Sequence, residues 1–265
     1  MLVLLPPSEG KAASEAGSGT PLALDTLSLP RLTPARELAV DTLVSLSEGD
    51  PDRAAEVLGL SPGLRGELAR NIALRTAGAL PAGELYTGVL YDALGLSTLE
   101  AGAFARAEAA LLVFSGLWGA VRIGDRIPPY RCSGGVKLPP LGALGVYWRK
   151  PMAEAMPEIA TGLVLDLRST AYAGLWKPVG DVASRTATVR VLHERVVGGV
   201  TKRSVVSHFN KATKGRLVRD LLESGSTPDS PTELVEALRE LKYTVEAAAP
   251  APGKPWALDV VVTEL

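Results

Sequence analysis

Segments of strand character and segments of helix character follow one another along this chain without a regular strand–helix–strand rhythm. That order favours an α+β fold, a mixed β-sheet surrounded by helices, over a doubly wound parallel sheet. At 265 residues the chain suits a single large domain spanning residues 1–265, with ample apolar side chains for a buried core.

The first strand is Leu2 to Leu5, too short and too poor in preceding basic residues to read as a secretory signal. No run of about eighteen apolar residues is present, which argues against a spanning helix and for a cytoplasmic protein away from membranes. Residues 6–21, rich in Gly, Ser and Pro, read as a loop. Three helix starts follow, at Thr33, Asp50 and Ser61, each a capping residue ahead of a proline. Residues 85–92 read as a strand or turn. Ser97 and Glu100 form a capping-box pattern opening a helix towards Ala110. Residues 136–148 are strand-like, 151–160 a short helix, and 163–167 a buried strand interrupted by Asp166. Residues 186–197 and 200–206 alternate as a hairpin about Gly198 and Gly199. A helix over 207–223, a second capped by Ser230, and strands near 243–247 and 257–262 complete the pattern.

Within this frame, residues 115–131 stand out. Gly116, Gly119 and Gly124 allow turns or close backbone approach, and Pro128 and Pro129 fix an extended exit. Arg122, Asp125, Arg126 and Arg131 bring charge that an apolar core does not tolerate unpaired. The stretch reads as one wall of a binding site. The formal net charge of −1 conceals a segregation: residues 121–219 carry 17 basic against 6 acidic side chains, whereas 1–120 carry 8 against 14 and 220–265 carry 3 against 9. A basic middle is compatible with an anion-binding cleft, and equally with basic residues spread over several faces and paired with the acidic ends.

On the 207–223 helix, spacing at about 100° per residue places Lys211 and Lys214 in the same arc as Leu217, Val218, Leu221 and Leu222. Inward lysines call for an anion or a wet cleft, unless their stems reach out to solvent. Lys11, at the end of Pro6 to Lys11, could place an ammonium beside a central strand, but the segment lacks the first glycine and the hydroxyl residue of a phosphate loop. Gly116 to Gly119 after a capped helix is similar to the hairpin of a helix-hairpin-helix element, whose amides meet nucleic-acid phosphates. Trp118, Tyr130, Trp148 and Trp176 could stack on bases or fill the core. A single cysteine, Cys132, and two isolated histidines, His193 and His208, give no disulfide, no metal site and no nucleophilic triad. No cofactor is indicated.

Four ordered motifs carry a resemblance. They are the start Met1 to Lys11, the Leu85-Tyr-Thr-Gly88 element, Ser115 to Gly119 with Arg122, Asp125 and Pro129-Tyr-Arg131, and the late Phe209-x-Lys-x-x-Lys-Gly215. Together they resemble the YaaA peroxide-stress family. The resemblance implies a cytoplasmic protein that limits oxidative damage during hydrogen peroxide stress, lowers free iron, and binds DNA through a basic cleft with a helix-hairpin-helix-like element. Carried onto this chain, Lys11, Arg122, Arg131, Lys211 and Lys214 would line that cleft, with Ser115, Asp125, Tyr86 and Tyr130 beside them. The expected partner is thus DNA, bound with little sequence preference, or a phosphate-bearing small molecule. In the alternative, enzymatic reading the cleft acts on a nucleotide or nucleobase, with Asp125, Tyr130 and Lys11 as catalytic candidates.

Overall fold

Leu2–Leu5 is buried along its whole length, as a strand with parallel neighbours on both sides must be. In the computed structural model, which describes residues 1–12, 20–198, 200–205, 207–248 and 250–263, it forms β1 of an eight-stranded sheet. The others are β2 (Leu111–Ser115), β3 (Gly119–Arg122), β4 (Val164–Asp166), β5 (Thr186–Val197), β6 (Val200–Ser204), β7 (Thr244–Ala248) and β8 (Trp256–Val262). Their spatial order is β7-β8-β5-β4-β1-β2-β3, with β6 paired to β5. β1 runs parallel to β2, with Val3 opposite Leu111, and parallel to β4, with Leu4 opposite Asp166. β4, β5 and β8 continue the parallel set, while β3, β6 and β7 are antiparallel to their neighbours. The sheet is mixed, with helices about it, as the irregular order of elements predicts. Its centre is parallel, which that order did not reveal.

One apolar cluster runs from Leu2 to Val260 and includes Trp118 and Trp148, both fully buried. Arg36, on the helix Thr33–Glu48, is buried in it. Its guanidinium donates to Trp118 O at 3.1 Å, Ala120 O at 2.7 Å and Leu29 O at 3.5 Å, so it is spent on carbonyls of the β2–β3 hairpin and a nearby loop.

Asp50 caps its helix, Pro51–Leu58, by accepting from the amides of Asp52 and Arg53, and Ser230 caps Pro231–Glu240 through the amide of Glu233. The other start signals behave differently. Thr33 lies inside its helix, and Ser61 precedes only a three-residue turn of 3-10 helix. Glu100, rather than Ser97, is the N-cap of Ala101–Ala110, and no side chain caps it. Residues 85–92 run from the end of one short helix, Ala82–Leu85, through a link in which Tyr86 bridges to Lys11, into a second, Val89–Leu94. Residues 136–148 hold a pair of two-residue strands and a helical turn, Leu144–Tyr147. Residues 13–19 of the Gly- and Ser-rich loop, Gly199 of the hairpin, and the side chain of His208 lie outside the described residues.

Gly116 to Gly119 joins two antiparallel strands, Ser115 facing Gly119. The expected helix-hairpin-helix is therefore a β-hairpin here. Gly119 has φ +71°, and a β-carbon on it would meet the Trp148 ring at 2.8 Å, which explains the glycine by packing.

Candidate functional site

The chain leaves β1 for β2 on one side and returns later to β4 on the other. At such a reversal the connecting loops part, and open sheets hold ligands outside the carboxyl ends of the strands there. Lys11 is delivered to this edge by the segment after β1. Backbone bonds from Ala12 N to Leu85 O at 2.8 Å and from Thr87 N to Gly10 O at 3.2 Å pin that segment against residues 85–87.

Lys11 Nζ donates to Ser8 O at 3.0 Å and lies 4.3 Å from the centre of the Tyr130 ring and 5.7 Å from that of Tyr86. Burial brings its pKa down to about 8; the carboxylate of Glu9 opposes the fall, and Arg131 adds to it. Among the described residues Lys11 has no ion-pair partner, because Glu9 is turned to the Arg131 guanidinium at 3.4 Å. Arg131 is held by its main chain: Asn71 Nδ2 donates to its carbonyl at 3.0 Å, and its amide donates to Asn71 Oδ1 at 2.8 Å.

Beneath the ammonium, Tyr130 Oη is 2.8 Å from Tyr86 Oη and 2.6 Å from Ser115 Oγ. Ser115, the last residue of β2, accepts from the amides of Leu117 and Trp118, both at 3.1 Å. Burial raises both phenols above their ordinary pKa. The indole of Trp118 meets the Tyr130 ring edge-on with centres 5.7 Å apart. Cys132 is buried close by, and burial pushes its thiol up to about 12.

At the end of β4, Lys214 Nζ donates to Leu167 O at 3.3 Å; burial lowers its pKa and Asp166 opposes this. Asp166 and Arg168 form a buried bidentate pair at 2.8 and 2.6 Å, with the guanidinium 4.2 Å from the Phe114 ring centre and 5.7 Å from that of Trp176. Sequence reasoning did not assign this pair a place in the site. Its signal was available: residues two apart on an extended segment share a face, so an acid and a base at 166 and 168 can pair.

The structure thus gathers Lys11, Tyr86, Ser115, Tyr130 and Arg131, and sets Lys214 at the neighbouring strand end. Three other candidates lie elsewhere. Arg122 faces Leu112, three residues from the Ser115 end of the hairpin or about 10 Å along the strand; its Nη1 donates to Ala109 O at 2.6 Å. Asp125 goes with it, accepting from the Arg122 amide at 2.8 Å and from the amide and hydroxyl of Ser28 at 2.9 and 2.8 Å. Lys211 is exposed. The helix Ser207–Ser224 buries Thr213, Gly215, Leu217, Val218, Leu221 and Leu222, and Lys211 falls outside that set. Gly116 has a structural reason of its own, since a β-carbon there would meet Cys132 O at 2.8 Å.

Part of the positive charge in residues 121–219 is neutralised by the acidic C-terminal region, one of the two outcomes that the charge pattern left open: Arg190 pairs with Asp259, Arg203 with Glu246 as well as with Glu194 on the neighbouring strand, and Arg219 with Glu223. A cavity of about 910 Å3 is lined by Glu84, Tyr86, Asp92, Phe104, Glu108 and Arg219 among others; of the gathered residues only Tyr86 borders it, and none of the basic candidates does. No helix among the described residues is long and apolar enough to cross a membrane, and no cluster of three His, Cys, Asp or Glu among them could hold a metal ion.

Residues 1–249 match the sequence family described as "Peroxide stress protein YaaA". A UPF0246 protein of Streptomyces coelicolor is 67% identical over the full length of both chains. UPF0246 proteins of Corynebacterium efficiens and Corynebacterium glutamicum strain R are 44% and 42% identical, each over 93% of this chain and 95% of the relative.

Proposed function

The chain belongs to the YaaA peroxide-stress protein family, and from that premise we propose that it binds a phosphate-bearing ligand, a nucleotide or a strand of DNA, at the Lys11 edge of its sheet. The observation that carries this reading is the Lys11 ammonium: part-buried, without a carboxylate partner among the described residues, and placed where parallel strands end. A part-buried cation in that state gains from an arriving anion what its own fold does not supply. Arg131, beside Lys11, and Lys214, at the end of β4, add positive charge. In this reading the protein works in the cytoplasm, and DNA contacts go to the backbone, so affinity falls steeply with salt and reads little sequence.

A second reading, nucleotide or nucleobase chemistry, is favoured by one observation: a lysine brought to about pKa 8 is partly neutral near physiological pH and can take up a proton. Asp125 has no part in it, since its oxygens are engaged at Ser28 and Arg122. The deciding experiment measures binding of deoxyadenosine monophosphate and of a short DNA duplex to the wild-type protein, Lys11→Gln and Lys214→Gln. Loss of both ligands in Lys11→Gln supports the site. Unchanged affinity in that variant sinks it. Duplex binding that survives while nucleotide binding is lost would place DNA on another surface.

A further inference from the structure

The cavity of about 910 Å3 shares only Tyr86 with the Lys11 edge, and the charge on its walls has the opposite sign. Glu84 reaches it from the helix Ala82–Leu85 and Asp92 from Val89–Leu94. Phe104 and Glu108, four positions apart and so on one face, reach it from Ala101–Ala110. All four residues are exposed, and none of the three carboxylates is in an ion pair among the described residues. Arg219 is the one cation among the lining residues, and it is already spent. Its guanidinium donates to Leu94 O, Gly95 O and Thr98 Oγ1 at 3.1, 2.9 and 2.9 Å and pairs with Glu223 at 2.7 Å. A β-carbon on Gly95 would stand 2.6 Å from Arg219 Nη1, so the glycine makes room for this packing.

The rest of the lining is apolar where it matters. Leu96 and Ile123 contribute buried side chains, whereas the Phe104 ring is 39% exposed beside the carboxylates. A cavity of this size, part apolar and with a few charged groups, suits a small molecule. Three like charges around one hollow concentrate ions of the opposite sign, and an open aromatic face attracts an organic cation further. An inorganic cation would use the carboxylates alone. Ammonium groups joined by methylenes would use the carboxylates, the ring and the apolar lining together. We propose that this cavity binds an aliphatic polyamine, with its ammonium groups at Glu84, Asp92 and Glu108 and its methylene chain against Phe104, Leu96 and Ile123. The proposal is independent of the anion-binding reading of the Lys11 edge.

The test titrates spermidine, by calorimetry at physiological salt, into the wild-type protein, the double variant Glu84→Gln with Glu108→Gln, and Phe104→Ala. Spermidine should bind the wild type. Its affinity should fall about tenfold in the double variant and about threefold in Phe104→Ala. No binding to the wild type, or unchanged affinity in the double variant, overturns the proposal. Unchanged affinity in Phe104→Ala overturns it as well, because the ligand would then sit on charge alone. Magnesium that displaces spermidine at equal concentration would reveal a diffuse ion atmosphere instead of a site. A tetralysine peptide that binds more tightly than spermidine would assign the cavity to a basic protein segment, again against the proposal. Should a variant not fold, the wild-type protein supplies the answer through its methyl resonances. Spermidine must shift those of Leu96 and Ile123, and unmoved resonances overturn the assignment.

Discussion

Ser28 holds Asp125 across 97 positions of sequence, its amide and its hydroxyl both donating to the same carboxylate oxygen at 2.9 and 2.8 Å. With the second oxygen taken by the Arg122 amide, Asp125 ties an early loop to the turn after β3. Asp125→Ala should cost about 2 to 4 kcal/mol in chemical denaturation and leave nucleotide affinity as it is. A variant of full stability that no longer binds would return Asp125 to the site.

Lys11 gives stability and affinity opposite pH dependences. Burial brings the folded protein's lysine down to about 8, whereas the ordinary lysine value of about 10.5 applies to the unfolded chain. Between those values the unfolded state binds more protons, so folding stability rises with pH, while affinity for an anion falls as the ammonium is lost. Denaturation and nucleotide titrations at pH 7 and pH 9.5 should show both trends. Lys11→Met should abolish both, and a rise in stability that persists in that variant would assign it to another group.

The Asp166 and Arg168 pair is buried beneath two aromatic rings. Arg168→Met strands a buried carboxylate and should destabilise by about 3 to 5 kcal/mol. Adding Asp166→Asn to Arg168→Met should recover much of that loss, as seen in the denaturation midpoint. Equal losses in the single and double variants would mean that the packing of the arginine, rather than its charge, is what counts.

Gly215 lies where two helices meet, and a β-carbon there would stand 2.2 Å from Leu90 O and 2.9 Å from Ala93 Cβ. Gly215→Ala should push the helix Ser207–Ser224 off Val89–Leu94 and cost about 1 to 3 kcal/mol. A thermal midpoint equal to the wild type's would show that the two helices have room to part.

Lys211 is exposed, so Lys211→Ala should change stability by less than about 0.5 kcal/mol. Its effect on binding should be confined to the salt dependence of DNA affinity, lowering the slope by about one if a backbone phosphate reaches it. A lost affinity for the mononucleotide would place it in the site after all.

Legibility in the sequence followed how local each signal was. Uniformly apolar Leu2–Leu5, the alternation of residues 186–197 and the caps at Asp50 and Ser230 are decided within a few residues, and all three were readable. Lys11, Tyr86, Ser115, Tyr130 and Arg131 could be named because unusual residue types sit in short motifs. Their grouping depends on which strand lies beside which, and no local pattern records that. Arg122 and Asp125 show the limit: they are neighbours of Ser115 in sequence, yet the hairpin carries them to the opposite end of its strands. Lys211 fails for a related reason, since helical spacing fixes an angle about the axis but not which positions along it are covered. The glycines of residues 116–119 suited two kinds of hairpin, and only the strand that follows them distinguishes one from the other.

Arg36 has a meaning beyond its burial. β3 is the last strand on its side of the sheet, and a border strand with free carbonyls invites a strand from another molecule to dock. The guanidinium already occupies carbonyls at residues 118 and 120. The side chain thus fills hydrogen-bond positions that a further strand would need, and the border is closed from within.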